Sequence, residues 1–150
     1  MTSSVLALVG CGDKKKSTPT EARRLYVSDY FRKKREWAEG CDRWRILSAE
    51  HGLVHPTSIL EPYDTVLSEL DEEETEQWAA DVTQNLRPMA SDFDEIVFLA
   101  GEDYVNPIVE QGLPANVNIR WPFEGRRIGE QIQWLQNNPA PDQSTFESLE

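Results

Sequence analysis

Four short runs along the chain have the hydrophobic pattern of strands, and each ends in polar residues or glycine. The runs are Val5–Val9, Arg45–Ser48, Ile96–Ala100 and Val117–Arg120. The first and third are continuously apolar, as in a strand buried on both faces, whereas the last alternates like a half-buried strand. Gly10, Gly101 and the polar residues after the other two runs predict that each strand ends in a loop.

Segments with helical spacing of apolar residues separate these strands. Acidic residues at 71–74 favour a helix start, and Trp78 lies on the predicted buried face. Pro88 predicts that this helix ends near Leu86. The predicted helical segments are 19–31 with a basic continuation at 32–39, then 71–86, 101–110 and 128–135.

The alternation of strands and helices predicts a three-layer α/β/α sandwich with a mainly parallel four-stranded sheet. We expect a single α/β domain over residues 1–136 and a polar, acidic C-terminal tail over residues 137–150. Residues 55–67 contain Pro56 and Pro62 and are predicted to be irregular. A connection of this length is often functional.

Polar residues follow every predicted strand, and these residues should meet. The carboxyl ends of parallel strands lie at one edge of the sheet, so distant parts of the chain converge there. A cleft that holds carboxylates, a histidine, a thiol and cations can support general acid–base or nucleophilic chemistry. The catalytic candidates are Cys11, Glu50 and His51. The candidates for ligand binding are Asp13, Lys14, Ser48, Tyr63, Asp64, Glu102, Tyr104 and Arg126.

Each candidate residue also has a purely structural interpretation. Cys11 is either a nucleophile activated by a nearby cation or a small thiol packed after a strand. Glu50 and His51 act as base and proton shuttle, or only shape a turn. Lys14 and Arg126 bind phosphate, or are solvated surface charges. The sequence leaves these alternatives open.

Several classes of site are not expected. The chain has two histidines and no C-x-x-C pair, so a structural zinc site is not predicted. The lysines at 14–16 lack the spacing of a Walker loop, which argues against a nucleoside triphosphatase. The sequence identifies no cofactor and no oligomeric state.

Composition and charge change the picture in two respects. The net charge of −12 disfavours broad binding to nucleic acid at low salt. Ten Arg but only five Lys, with this acidity, resemble proteins of salt-loving (halophilic) organisms, in which high salt screens the repulsion. No apolar run reaches the ~18 residues of a membrane span, and no signal peptide is evident. We therefore expect a cytoplasmic protein in which Cys11 and Cys41 are thiols.

Six motifs together resemble a small uncharacterised family, DUF6884. They are Cys11-Gly-Asp-Lys14-Lys15, Leu25-Tyr26-x-Ser28-x-x-Phe31, Trp44-x-Ile-Leu-Ser-Ala-x-His-Gly-Leu-Val54, Glu61-Pro62-Tyr63-Asp64 and Phe98-Leu-Ala-Gly101-x-x-Tyr104, followed by Ile128-Gly-x-Gln131. The start of the chain is also remotely similar to YaaA-type proteins and to the uracil-DNA-glycosylase-like domain of archaeosine synthases. That similarity implies a four-stranded α/β core and contact with nucleobases or DNA.

The convergent site and the resemblance together predict an enzyme that processes a nucleobase, a nucleotide or a base in DNA or RNA. A glycosylase-like hydrolase and a base-modifying transferase are the reaction classes considered. In this hypothesis Tyr63 or Tyr104 stacks on the base, and Lys14 and Arg126 hold phosphate. The alternative is a non-catalytic module that binds a nucleotide or docks a partner.

Overall fold

The computed structural model of the protein describes residues 4–141, in which strands and α-helices alternate. The strands are β1 (Val5–Gly10), β2 (Thr20–Glu21), β3 (Arg43–Ser48), β4 (Gly52–Val54), β5 (Ile59–Leu60), β6 (Glu95–Leu99) and β7 (Asn118–Arg120). The helices are α1 (Ala22–Leu25), α2 (Asp29–Glu39), α3 (Glu72–Ala90), α4 (Glu102–Gln111) and α5 (Ile128–Asn137), with one 3₁₀ turn at Leu67–Glu69.

The main sheet has five strands in the order β4-β3-β1-β6-β7. Strand β1 pairs in parallel with both β3 and β6, and β7 adds in parallel to β6. The four predicted strands are therefore neighbours in one parallel array, which confirms the predicted fold class. The prediction missed β4, a short edge strand that runs antiparallel to β3.

The central strand β1 carries the core because all six of its residues are buried. Its side chains alternate between the two faces of the sheet. Val5, Ala7 and Val9 pack in one cluster with residues of α1, α2 and α5. Leu6 and Leu8 pack in the other with residues of α3 and α4. Helices thus cover both faces of the sheet.

Two predicted helix boundaries were wrong. The segment 19–31 is not one helix, because α1 ends at Leu25 and Ser28 caps a new helix, its Oγ accepting a hydrogen bond from the Phe31 N–H at 3.0 Å. Helix α3 does not stop before Pro88 but continues to Ala90. Leu86 and Ala90 lie one turn apart and are fully buried, so packing against the sheet holds the last turn in place.

The loop after β4 is tied down by a second, smaller sheet. Strand β5 pairs antiparallel with β2, within the region predicted to be irregular. The backbone N–H groups of Ala22 and Arg23 also donate to the carbonyl oxygens of Ser58 and Pro56, both at 2.8 Å. These bonds set the position of Tyr63, which follows shortly afterwards.

The end of the described chain docks on α2. The indole N–H of Trp37 donates to the Asn138 carbonyl at 2.7 Å. Ala140 is 1% exposed and lies against Gly40. Residues 142–150 of the predicted tail lie outside the described residues. Within residues 4–141, no helix combines the length and the apolarity that crossing a membrane requires.

We predict that Gly40→Ala weakens this docking. A Cβ at residue 40 would lie 2.5 Å from the Ala140 Cβ, closer than two non-bonded carbon atoms approach without a shift of one of them. Overpacking of this kind costs about 1–3 kcal/mol. Denaturant unfolding should show this loss for Gly40→Ala and a substantial recovery in the double variant with Ala140→Gly. If the losses in the double variant are additive, residues 40 and 140 are not in direct contact.

Candidate functional site

The end of the central strand places Cys11 between two other segments. The backbone N–H of Cys11 donates to the Leu47 carbonyl at 3.0 Å and continues the pairing of β1 with β3. Its Sγ lies 3.1 Å from the Tyr104 Oη, at the start of α4. The side chain is half-buried. A thiol beside a phenol at a strand end is accessible enough to react and enclosed enough to be oriented.

A chain of hydroxyl groups lies beside this thiol. The Ser48 Oγ donates to the Tyr63 Oη at 2.8 Å, and the Tyr63 and Tyr26 hydroxyls are 2.5 Å apart. Ser48, the last residue of β3, is fully buried, and its Oγ also accepts from the His51 N–H at 3.0 Å. The sharp turn back into β4 uses Gly52, whose φ of 74° favours glycine. Ser48 thus links the turn to the tyrosines.

Trp78 of α3 contacts both the end of β3 and the ring of Tyr104. Its indole N–H donates to the Ser48 carbonyl at 2.9 Å. Its ring meets the Tyr104 ring edge-on, with the centroids 5.8 Å apart. One buried side chain therefore positions the end of β3 and the phenol that contacts Cys11.

A buried lysine lies beneath the end of β1. Lys34 of α2 is 3% exposed, and its Nζ donates to the Gly10 carbonyl at 2.9 Å. The ammonium group also lies 4.3 Å from the centroid of the Tyr30 ring. Burial lowers the pKa of Lys34 to about 8, and the negative charge of a Cys11 thiolate acts in the opposite direction. The Lys34 ammonium is therefore held at the carbonyl of the residue that precedes Cys11.

Tyr30 connects this lysine to α5. Its hydroxyl donates to the Gln131 Oε1, and the Gln131 Nε2 donates to the Arg126 carbonyl at 2.8 Å. Burial raises the pKa of Tyr30 to about 12. Gln131 is itself buried, so it fixes the Tyr30 ring against the Lys34 ammonium.

Three tyrosines around Cys11 stay protonated over a wide pH range. Burial first, and the negative charge of a Cys11 thiolate second, raise the pKa values of Tyr26, Tyr63 and Tyr104 well above the usual range. A phenol that keeps its proton can donate a hydrogen bond to an anion. Of these three tyrosines, Tyr104 has its hydroxyl within hydrogen-bond distance of the sulfur, whereas the Tyr26 and Tyr63 hydroxyls bond to each other.

The outer rim of the site carries a cation and an imidazole. The Lys15 Nζ lies 4.4 Å from the centroid of the Tyr63 ring. His51 meets the same ring edge-on at 5.4 Å between centroids, and its side chain is exposed. Both groups are placed to contact a ligand that approaches Tyr63 from solvent.

The structure brings several of the predicted residues together. Cys11, Ser48, Tyr63 and Tyr104 form the inner cluster, with His51 at its rim. Asp13 is exposed but lies close enough for its charge to contribute to the raised pKa of Tyr104.

Other predicted residues lie apart from this cluster. The Glu50 carboxylate accepts a hydrogen bond from the Thr65 hydroxyl on the outside of the turn. Lys14 and Asp64 are exposed. Glu102 lines a cavity with Leu67 and Ser68. The remaining candidate, Arg126, donates to the Pro122 carbonyl in its own loop.

Sequence reasoning missed Lys34 and the role of Tyr26. Lys34 was assigned to a basic helical stretch, yet it lies three residues from both Phe31 and Trp37 on the apolar face of α2. A lysine at such a position is the signal that could have identified it. Tyr26 was counted as part of a helix, but it is extended and directs its hydroxyl to Tyr63.

Within residues 4–141, no three His, Cys, Asp or Glu side chains lie close enough together to hold a metal ion. Cys11 and Cys41 are thiols rather than a disulfide.

Comparison with known proteins identifies one family. A family model described as a family of unknown function (DUF6884) matches residues 6–137, which include every residue of the cluster. The comparisons with curated proteins and with solved structures found no match. The remote similarity to YaaA-type proteins and archaeosine synthases thus stays a prediction.

We predict that the free energy of unfolding rises with pH because of Lys34. Its pKa is about 8 in the folded protein but 10.5 in an unfolded chain, so the unfolded state binds more protons between these values. Stability should therefore increase by about 2 kcal/mol from near pH 7 to near pH 9.5. Above about pH 10 the tyrosines reverse the trend, because they ionise first in the unfolded chain.

Denaturant unfolding at several pH values tests this assignment. Lys34→Met should abolish the rise, whereas Lys33→Met, at the adjacent and more exposed position, should retain it. An identical pH profile in the wild type and in Lys34→Met would mean that Lys34 is not the cause.

We also predict energetic coupling within the hydroxyl chain. Tyr63→Phe removes the acceptor of the Ser48 hydroxyl and the partner of Tyr26, so it should cost about 1–3 kcal/mol. In a double-mutant cycle, Tyr63→Phe and Tyr26→Phe should couple by about 0.5–3 kcal/mol. Tyr63→Phe combined with Tyr30→Phe is the control and should be additive, since Tyr30 bonds to Gln131 instead. Additivity in both pairs would exclude a shared network.

Proposed function

The chain belongs to the DUF6884 family, whose function is unknown, and we propose that it is an enzyme that acts on the base of a nucleotide or nucleic acid at the Cys11 cluster. The nucleophile in this proposal is the Cys11 sulfur. The observation that carries the proposal is the arrangement around one half-buried thiol. The Cys11 Sγ lies 3.1 Å from the Tyr104 hydroxyl, and the buried Lys34 ammonium bonds to the carbonyl of the preceding residue, Gly10, at 2.9 Å.

This environment suits nucleophilic chemistry by a thiolate. A nearby ammonium group stabilises the negative sulfur, and a packed structural cysteine needs no such partner. Lys34 supplies that charge from below, and Tyr104 contacts the sulfur from the side. The cluster therefore supports the catalytic interpretation of Cys11 over a packing role.

The proposed step begins with addition of the Cys11 sulfur to an electron-poor carbon of the substrate. A carbon–sulfur bond forms, and an electron pair moves onto a ring nitrogen or oxygen. A protonated phenol of the cluster or His51 then donates a proton to that atom. The electron pair then returns to the ring and expels the nitrogen substituent of the attacked carbon, which leaves with a proton as an amine. Water or an acceptor amine adds to the same carbon, the carbon–sulfur bond breaks, and Cys11 leaves as a thiolate. With water the outcome is a hydrolysis, and with an amine it is a transfer to the base.

Tyr63 offers a face on which a base can stack. The Lys15 ammonium now covers that ring, and His51 meets its edge. A stacked base would displace Lys15 towards the solvent side, where the ammonium group can meet a phosphate. Stacking on an aromatic ring contributes about 1–3 kcal/mol per base.

A non-catalytic nucleotide-binding or partner-docking module is the second candidate. The observation in its favour is that the hydroxyl chain is complete by itself, because Ser48, Tyr63 and Tyr26 bond to one another without a ligand. Such a network can be structural. Binding of a nucleotide without turnover would favour this candidate.

We predict that Cys11→Ser abolishes turnover while the fold is retained. The test incubates the protein at high salt with nucleobases, nucleotides and short DNA and RNA, and follows products and protein adducts by mass spectrometry. Cys41→Ala is the control, because Cys41 is buried against the Trp37 carbonyl, away from the cluster. If Cys11→Ser forms the product as well as the wild type does, Cys11 is not the nucleophile.

We predict further that Lys15, rather than Lys14, contacts the ligand. Lys15 lies over Tyr63, whereas its neighbour Lys14 is exposed. Lys15→Gln should weaken the affinity for the active ligand by about tenfold, the effect of losing one charge-assisted hydrogen bond. Lys14→Gln makes the same change in net charge and should have little effect. Equal losses in the two variants would indicate only a general charge effect.

A further inference from the structure

A basic groove lies beside α1 and along α2 as far as Glu39. It encloses about 440 Å³, and its basic lining consists of Lys16, Arg23, Arg24, Arg32 and Arg35. These are five of the 15 basic residues of a chain whose net charge is −12. Glu39 is the one acidic residue in the lining. Cations concentrated in a concave surface of an acidic protein indicate an anionic ligand.

Two cavities on the opposite helical layer show the contrast. One lies between α3 and α4 and is lined by Glu72, Glu76 and Glu110, without a basic residue. The other is lined by Glu102 and Asp103, again without a basic residue. The charge of the basic groove is thus opposite in sign to the charge of these two cavities and to the net charge of the chain.

The arginines of the groove are held in place from behind. Arg35 donates to the Arg23 carbonyl at 3.0 Å, and Arg23 pairs with Glu21 at 2.8 Å. Arg32 pairs with Asp29 and Glu36 on the surface of α2. Exposed pairs of this kind contribute only about 0–1 kcal/mol, so a phosphate can replace a carboxylate at little cost.

Two cations of the groove remain available to a ligand. Neither Arg24 nor Lys16 has a side-chain partner among residues 4–141. The backbone beneath them is ordered, because the Lys16 N–H donates to the Leu25 carbonyl at 2.9 Å. Guanidinium and ammonium groups are the side chains that bind phosphate oxygens most strongly.

The groove and the Cys11 cluster share a wall. Tyr26 lines the groove, and its hydroxyl bonds to Tyr63 on the other side. Lys15, one residue before Lys16, lies over the Tyr63 ring. A ligand with a base at Tyr63 therefore has its phosphate side next to the groove rather than next to Arg126.

We propose that the groove is a phosphate-binding subsite for the ligand whose base occupies the Cys11 cluster. The identity of the base rests on the proposed function, whereas binding of phosphate by the groove does not. The chemistry recognised is that of phosphate esters, which a free nucleotide and a single strand of DNA or RNA share. Lys16 and Arg24 make the direct contacts, and Arg35 keeps the groove in shape.

The test measures binding of labelled single-stranded DNA and RNA by fluorescence anisotropy over a series of KCl concentrations. ATP and inorganic pyrophosphate serve as competitors. Arg24→Gln and Lys16→Gln should each weaken binding by about three- to tenfold and reduce the slope of log affinity against log salt by about one. Arg43→Gln, an exposed arginine at the start of β3, has the same change in charge and should leave both values unchanged.

The competitors separate the two sources of phosphate. Competition by ATP at concentrations similar to those of the oligonucleotide indicates a free nucleotide as the ligand, and its absence indicates a strand. If Arg43→Gln loses as much affinity as Arg24→Gln and Lys16→Gln, the groove is not the phosphate-binding subsite. The same conclusion follows if the wild type binds none of these probes.

Alkylation of Cys11 distinguishes this inference from the proposed function. If a bound oligonucleotide or nucleotide protects Cys11 from iodoacetamide, the ligand reaches the cluster and both proposals gain support. If the groove variants weaken binding but Cys11 is never protected, the phosphate subsite stands and the proposed function fails.

Discussion

The site depends on two hydrogen bonds at the end of the central strand. The Cys11 N–H bonds to the Leu47 carbonyl, and the Lys34 ammonium bonds to the Gly10 carbonyl. The first bond brings the β1 exit next to Ser48, and the second brings a positive charge beneath it. Neither partner can move without disturbing β1, which is buried along its whole length. The backbone that carries the Cys11 thiol is thus held as rigidly as the core.

A buried lysine is costly to maintain, which makes its position informative. Taking an ammonium group out of water disfavours its charged form, as the lowered pKa of Lys34 reflects. A methionine would fill a similar volume in α2 without that cost. The Gly10 carbonyl and the Tyr30 ring offset part of the cost. The remaining cost is understandable if the charge serves the thiol above it.

Much of the fold was predictable from the sequence, and less of the site. Continuous apolar runs such as Ile96–Ala100 identified the parallel strands, because burial on both faces leaves no polar position. Strand β4 was missed, since three residues are too few to show a period. Ser48 and Tyr104 could be predicted because they lie at the end of one predicted strand and shortly after the end of another. The position of Lys34 on an apolar helix face could have been noticed, but its partners and those of Tyr26 could not be predicted, since these contacts depend on how α1 and α2 pack.

The contacts of the cluster join segments that are far apart in the chain. Cys11 meets Tyr104 across 93 positions, and Tyr30 meets Gln131 across 101. A fragment that contains both contacts therefore has to span residues 11–131. During synthesis, the thiol remains without its phenol partner until α4 has left the ribosome and packed. Loop closures of this length form late in folding. Enclosure of Cys11 is consequently a marker of complete folding, and a partly folded chain carries a thiol without the groups that control it.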